Sequence, residues 1–271
     1  MREALYWIFI LSAIAMMLIP HSFVQASQFI AGGDWGCKTA AQNNLKQISK
    51  TGLPVVGLGD YGYSCSDKTL TSMWNQIQQK TGVQGNHECQ KGQNTAFGQK
   101  TFGYSDCRQS GRSATLGNIG FILMNDYQSY SVGSKQYNRV IANAEKFQNN
   151  SNIDLIAFAY HEPTHGLKCS GSHCHGDKTD FAKIYDPIIK KYHGLILEGH
   201  THLVGFGSPN SIPTAQCGGG GEDGTTVKTT SGFDYGSATM GYCQIDIQKD
   251  KIVAQHFSQT GQLLHTHTWN R

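Results

Sequence analysis

The sequence predicts an α/β fold, a parallel sheet with crossover helices, and two observations predict it. Three short apolar runs, each closing on a glycine and a polar residue, are separated by amphipathic helical stretches, which gives the order β-α-β-α-β. The polar residues also recur at a fixed interval, with 26 residues from Asp34 to Asp60 and 26 from Asp60 to Asn86. Each interval is one strand-helix unit. Three polar side chains therefore reach the carboxyl ends of successive strands, the edge at which open α/β sheets bind ligands.

Ahead of the first strand, Met1-Arg2-Glu3 opens a run from Ala4 to Ile19, sixteen residues interrupted only by Ser12, followed by Pro20 and Val24-Gln25-Ala26. A charged start, an apolar run and small residues at −3 and −1 are the parts of a secretory signal peptide, residues 1–26. Sixteen apolar residues fall short of the roughly 20 that span a bilayer, so cleavage after Ala26 is expected. Membrane attachment is expected only if the segment stays uncleaved. Either way residues 27–271 form a domain outside the cytoplasm.

The strand Phe29-Ile30-Ala31 runs into Gly32-Gly33-Asp34. Thr39-Ala40-Ala41-Gln42 has capping-box spacing, and Ala41, Leu45 and Ile48 form one helix face that should stop near Gly52. Pro54 to Leu58 is a second strand, ending at Gly59-Asp60. Leu70, Met73, Trp74 and Ile77 mark a second helix, and Gly82-Val83 leads to Gly85-Asn86-His87. Residues 88–117, polar and glycine-rich, read as a long surface excursion. Further strands are expected over Ile119 to Met124, Ile153 to Ala159 and Leu195 to Leu197. Helices are expected around Tyr137 to Phe147 and Phe181 to Ile188, the latter with a kink at Pro187. Alternation near Tyr242 to Ile247 and Ile252 to His256 predicts antiparallel strands.

Composition excludes two classes. The formal net charge is +3 and only 15% of residues are charged, against a usual share of about 25%. Nothing in that balance indicates nucleic acid binding, and 38% hydrophobic residues exclude a disordered chain. All eight cysteines lie after the apolar segment, with no C-x-x-C pair among them, so disulfides are expected rather than a zinc cluster. Spacing suggests Cys169 with Cys174 and Cys89 with Cys107, and leaves the rest open.

Five strand ends carry chemistry-bearing groups: Asp34; Asp60 with Tyr63; Asn86-His87; His161; and His200-x-His202. A Gly-Asp after a strand is ordinarily a turn, and a lone histidine is ordinarily hydrogen-bonded. Convergence of all five on one sheet edge is the pattern of a metal site. In order, Gly33-Asp34, Gly59-Asp60-Tyr61-Gly62-Tyr63, Gly85-Asn86-His87-Glu88, Ala159-Tyr160-His161 and Gly199-His200-Thr201-His202 resemble the motifs of the calcineurin-like metallophosphoesterases, and specifically the purple acid phosphatases. Most relatives in the wider superfamily begin D-x-H. Here that histidine position is Gly36, and Tyr63 occupies the place of the purple enzymes' tyrosine ligand.

The resemblance implies a four-layer α/β/β/α domain of two mixed sheets flanked by helices. It also implies two metals on Asp34, Asp60, Tyr63, Asn86, His161, His200 and His202. Asp34, Asp60, Tyr63 and His202 would hold the first; Asp60, Asn86, His161 and His200 would hold the second, with Asp60 bridging. Three anionic oxygens suit Fe³⁺ at the first site, and the second suits Fe²⁺, Zn²⁺ or Mn²⁺. The expected activity is metal-dependent hydrolysis of small phosphomonoesters. A phosphodiesterase or nucleotidase on the same metals and a non-catalytic binding protein with a relic site are the rivals. His87 is the candidate proton donor, with Glu88 orienting it. His165 resembles a second family histidine or is a surface residue. His173 and His175 belong to the site's surroundings or to the surface, and Tyr61 is the alternative to Tyr63.

Overall fold

The computed structural model describes residues 27–271 apart from 105, 224, 230 and 231. The expected signal peptide, residues 1–26, lies outside them. Strand β1 (Gln28–Gly32) is followed by helix α1 (Thr39–Thr51), β2 (Val55–Leu58), α2 (Asp67–Trp74) and β3 (Lys80–Val83). β1 pairs β2 and β2 pairs β3 in parallel, as the fixed interval predicts. Helix α1 ends at Gly52, which turns left-handed. Its start differs from expectation: Lys38 is the N-cap and no side chain caps it, so Thr39 lies inside the helix rather than closing a capping box. In α2 the Ser66 hydroxyl does cap, accepting from the Thr69 N–H.

Residues 88–117 are not a surface excursion. They continue from the short helix α3 (Asn86–Cys89) into α4 (Thr95–Phe102) and β4 (Arg112–Leu116). Phe97, Phe102 and Tyr104 are buried against Tyr61 and Trp74. Then follow β5 (Ile119–Leu123), α5 (Lys135–Gln148), β6 (Leu155–Ala159), β7 (Lys168–Gly171), α6 (Thr179–Lys191), with Pro187 inside it, and β8 (Leu195–Glu198). The rest is β9 (Val204–Gly207), β10 (Thr214–Cys217), which pairs β8 in parallel, β11 (Thr225–Thr229), β12 (Phe233–Ser237), β13 (Gly241–Ile247), β14 (Lys251–Ser258) and β15 (Leu263–Asn270), otherwise paired antiparallel.

Two mixed sheets result, one ordered β15-β14-β13-β1-β2-β3 and the other β12-β9-β10-β8-β6-β5-β4. Period-two alternation packs them together. Phe29 and Ala31 of β1 face Phe121, Ala157 and Leu197 in a core between the sheets. Ile30 and Val55 point the other way, onto Leu45, Ile48 and Trp74 of α1 and α2. Ile122, Phe158 and Ile196 meet Val140, Phe147, Phe181 and Tyr185 of α5 and α6 on the opposite outer face. The order of layers is helix, sheet, sheet, helix. β7 and β11 form a separate two-stranded ribbon.

Four disulfides join Cys37 to Cys65, Cys89 to Cys107, Cys169 to Cys174 and Cys217 to Cys243, and no described cysteine is free. Both pairs suggested by spacing form. No helix of the described residues is long and apolar enough to cross a membrane.

Candidate metal centre

The strand ends deliver their side chains through an unusual backbone. Asp34, Asp60, Tyr63, His200 and His202 all have positive φ, between 50° and 72°. Non-glycine residues rarely adopt this region, and they cluster there at functional sites. Each turn is pinned by its neighbours. Asp34 N–H donates to the Gly59 carbonyl, Trp35 N–H to the Asp60 carbonyl, and His200 N–H to Asp34 Oδ2 at 2.7 Å.

Seven side chains meet in two neighbouring groups. In the first, Tyr63 Oη lies 3.1 Å from Asp34 Oδ1 and 2.9 Å from His202 Nε2, which is itself 3.7 Å from Asp34 Oδ1. In the second, His161 Nε2 lies 3.4 Å from Asp60 Oδ2, 3.1 Å from Asn86 Oδ1 and 3.0 Å from His200 Nδ1. Asp60, His161 and His200 are all buried and offer one ligand atom each within 4.8 Å of one another. Tyr61 is elsewhere: its hydroxyl donates to the Val83 carbonyl and its ring stacks on Phe102 in the core.

The chemistry of this donor set fits a cation. His161 Nδ1 donates to the Leu58 carbonyl at 2.6 Å and His202 Nδ1 to the Asp223 carbonyl at 2.9 Å, which turns each Nε2 inward. Around His161 Nε2, the His200 ring nitrogen, the Asn86 amide oxygen and the Asp60 carboxylate converge. Electrostatics say the same. Burial works against charge on His161, yet Asp60 and Asp34 hold its ring well above the ordinary imidazole range. Burial would raise Asp60, but His161 holds it well below the usual carboxylate range. Positive charge is favoured at this point. Burial pushes His202 down to about 4 and, with His161 beside it, His200 to about 2, so both stay neutral donors. Burial and the adjoining carboxylates raise the Tyr63 phenol, so only a strongly charged cation would draw out its phenolate.

Gly36 stands at the histidine position of the D-x-H pattern. Its φ is +63°, and a Cβ there would collide with the Glu222 carboxylate, which in turn pairs with Lys38 at 2.6 Å.

His87 lies beside the second group, 3.9 Å from Asp60 Oδ2, with its ring against Tyr63. Its partners are not the expected one. Nδ1 donates to Gln93 Oε1 at 2.6 Å and Nε2 accepts from Lys91 Nζ at 2.8 Å. Glu88 does not orient it. That buried carboxylate accepts from the backbone N–H groups of Asp60, Tyr61 and Gly85 and so holds two site loops together, with burial raising its pKa to about 7. His165 is not brought to the cluster: its Nε2 pairs with Asp186 of α6 at 2.7 Å. The histidines that do reach the cluster are His173, stacked on His202 at 4.2 Å between centroids, and His175, stacked on His200 at 4.2 Å. Sequence reasoning missed Asp126, whose Oδ2 accepts from the N–H groups of His161 and Glu162. Its signal was a carboxylate just past β5, at the same sheet edge.

The fold and this edge define the class: the chain has the calcineurin-like metallophosphoesterase fold, in the form seen in purple acid phosphatase. The purple acid phosphatase PPD1 from yellow lupin (Lupinus luteus) seeds superposes with a TM-score of 0.74 at 15% identity, over 90% of this chain and 54% of that one. GAP50, the anchor in the inner membrane complex of Plasmodium, gives 0.62 at 17% identity over 90% and 88%, and PhoD gives 0.57 at 11% over 90% and 68%. This chain therefore spans about half the length of the lupin enzyme. No family model and no curated protein matches the sequence.

Proposed function

We propose that this chain is an exported phosphomonoesterase of the acid phosphatase type that works with two metal ions. Asp34, Asp60, Tyr63 and His202 would hold Fe³⁺, and Asp60, Asn86, His161 and His200 a divalent Fe²⁺, Zn²⁺ or Mn²⁺. The observation that supports this reading is the inward convergence of nitrogen and oxygen donor atoms, with Nδ1 of His161 and of His202 each held by a backbone carbonyl. Such a pair of ions supplies an activated water and a clamp on the oxygens of an in-line displacement.

The chain's own residues do the rest. Asp60 would be the carboxylate shared by both metals, and its Oδ1 accepts from the His87 N–H at 2.9 Å. His87 would be the proton donor to the leaving oxygen, its Nδ1 held by Gln93 and its Nε2 carrying the proton once it turns from Lys91. Burial lowers its pKa, so it delivers its proton readily when the surroundings are acidic. His173 and His175, on the rings of His202 and His200, wall the approach. Four disulfides support an oxidising, extracytoplasmic destination. Metal analysis of purified protein with parallel turnover of an aryl phosphomonoester and a diester is the test. Iron plus a second metal and preference for the monoester are expected. Protein purified without transition metal, or inert after metal loading, overturns the reading.

A further inference from the structure

We propose that the end of the molecule opposite the metal centre is a membrane-docking face that seats on anionic phospholipid. Three observations meet there. The first is charge. The last turns of α1, α5 and α6 carry exposed Lys50, Lys146, Lys190 and Lys191, and the β13–β14 turn and the β15 end add Lys249 and Arg271. These helices run antiparallel to the central strands, so their last turns gather at the end away from the site. Exposed carboxylates at that end are Glu145, Asp154 and Asp250, with Asp246 half exposed. Six cations against four carboxylates give this end a net +2, in a chain whose whole net charge is +3. Helix dipoles account for lysines in last turns. They do not account for Lys249 or Arg271, the latter fixed at the face by the Gln248 and Asp154 carbonyls.

The second observation is a cavity of about 610 Å³ at the same end, far from every proposed metal ligand. Phe147, Ile153, Ile156, Ile189, Ile212 and Ile252 give it an apolar side, and Lys190 and Arg271 stand on its polar side with Asp154 and Asn270. Tyr192, also on the lining, has a buried hydroxyl with no partner among the described residues. Apolar walls beside cations match an amphiphile with an anionic head.

The third is the route of the chain. The Ser27 carbonyl accepts from the Ile247 N–H, and Ile247 pairs with Ile252 of the cavity, so the described chain begins at this face. Seven residues, a reach of roughly 25 Å at most, connect it to the apolar run that ends at Ile19. The face is therefore the one nearest the bilayer as the domain emerges, with the metal centre turned outward. Cleavage after Ala26 would leave the cations and the cavity as the remaining tie.

The test is flotation with vesicles, using residues 27–271, which carry both sheets, all three apolar layers and the four disulfides. Vesicles of phosphatidylcholine and phosphatidylglycerol at about seven to three should bind the protein at low salt and release it at high salt. Pure phosphatidylcholine should bind it about tenfold more weakly or worse. Lys190→Gln, Lys191→Gln and Arg271→Gln together should weaken binding by about tenfold or more at an unchanged urea midpoint, while Lys183→Gln, near the start of α6, should not. Three results overturn the proposal: no binding to the anionic vesicles, equal binding to neutral ones, or wild-type binding by the triple variant. Displacement by free glycerol phosphate also overturns it, because the cations would then form a site for a soluble ester.

Discussion

At the scale of single residues, the five left-handed positions are the most informative feature of the site. Each costs of order 1–3 kcal/mol, and a chain tolerates that only where neighbours over-determine the turn. Here the pinning bonds from Asp34 to Gly59 and from Trp35 to Asp60 do so. Glu88 adds three more, accepting from Asp60, Tyr61 and Gly85. The strain aims the side chains inward, which is why Tyr63 reaches Asp34 and His202 while Tyr61, two residues earlier, is buried in the core. Phenylalanine at 63 would fit the same turn without the oxygen. Tyr63→Phe is expected to lose the visible charge-transfer band of an iron-loaded protein and to hold the trivalent ion less firmly, with hydrolysis partly retained. Visible absorption after iron loading checks this. An unchanged band would remove Tyr63 from the chromophore. Asp34, Asp60 and Asn86 were legible in the sequence because they recur every 26 residues at strand ends, and Tyr63, His161, His200 and His202 because they stand in motif order just past a strand. Their supports were not. His165 pairs with Asp186 across 21 residues, and nothing local in the sequence distinguishes it from His173 or His175.

At the scale of elements, legibility followed burial pattern. Strands buried on both faces, such as β1, β2, β6 and β8, announce themselves as apolar runs. β9 (Val-Gly-Phe-Gly) and β7 (Lys-Cys-Ser-Gly) are short and glycine-bearing, and pairing alone makes them strands. Helix α4 sits among glycines and polar residues, and its packing is set by Phe97 and Phe102 meeting Tyr61 at long range. The disulfides separate two kinds of element. Cys217–Cys243 ties β10 to β13, one strand of each large sheet, with a sequence separation of 26; Cys169–Cys174 has a separation of only 5 and shapes the loop bearing His173 and His175. Chain-entropy arguments assign about 3.5 kcal/mol to the first and about 2 kcal/mol to the second. Replacing Cys169 and Cys174 by Ser should therefore cost modest stability but lower kcat/KM through the loosened histidines. Replacing Cys217 and Cys243 should chiefly lower stability. Urea midpoints beside kcat/KM separate the two outcomes, and equal activity loss in both variants would dissociate the loop from substrate handling.

At the scale of the whole molecule, the two sheets are sealed differently along their length. The centre is closed by aliphatic and aromatic side chains. The far edge, where β12 and β9 of one sheet face β14 and β15 of the other, is closed by imidazoles. His265 stacks on Tyr235 at 3.9 Å, Tyr235 Oη bonds to His256 Nδ1 at 2.9 Å, and His267 packs on Trp269 with Asp234 3.7 Å away. His256 is fully buried, and burial, with His265 beside it, lowers its pKa to about 4. Burial lowers His265 and His267 in the same direction. The sign follows from linkage. Between pH 6.5, the ordinary imidazole value, and pH 4 the unfolded chain binds a proton at residue 256 that the folded chain does not, so stability falls as pH falls through that window. For His256 alone the loss between pH 7 and pH 5 is about 2 kcal/mol. His256→Gln removes the titration while keeping a polar partner for Tyr235. The variant should start somewhat less stable than the wild type at pH 7 and converge on it by pH 5. Urea unfolding across that range, in chelator so that metal release adds the same term to both proteins, measures the difference. Parallel pH profiles would show that the imidazole edge is not what acid loosens. A converging pair would show that this edge opposes the acidic conditions in which the proposed chemistry runs best.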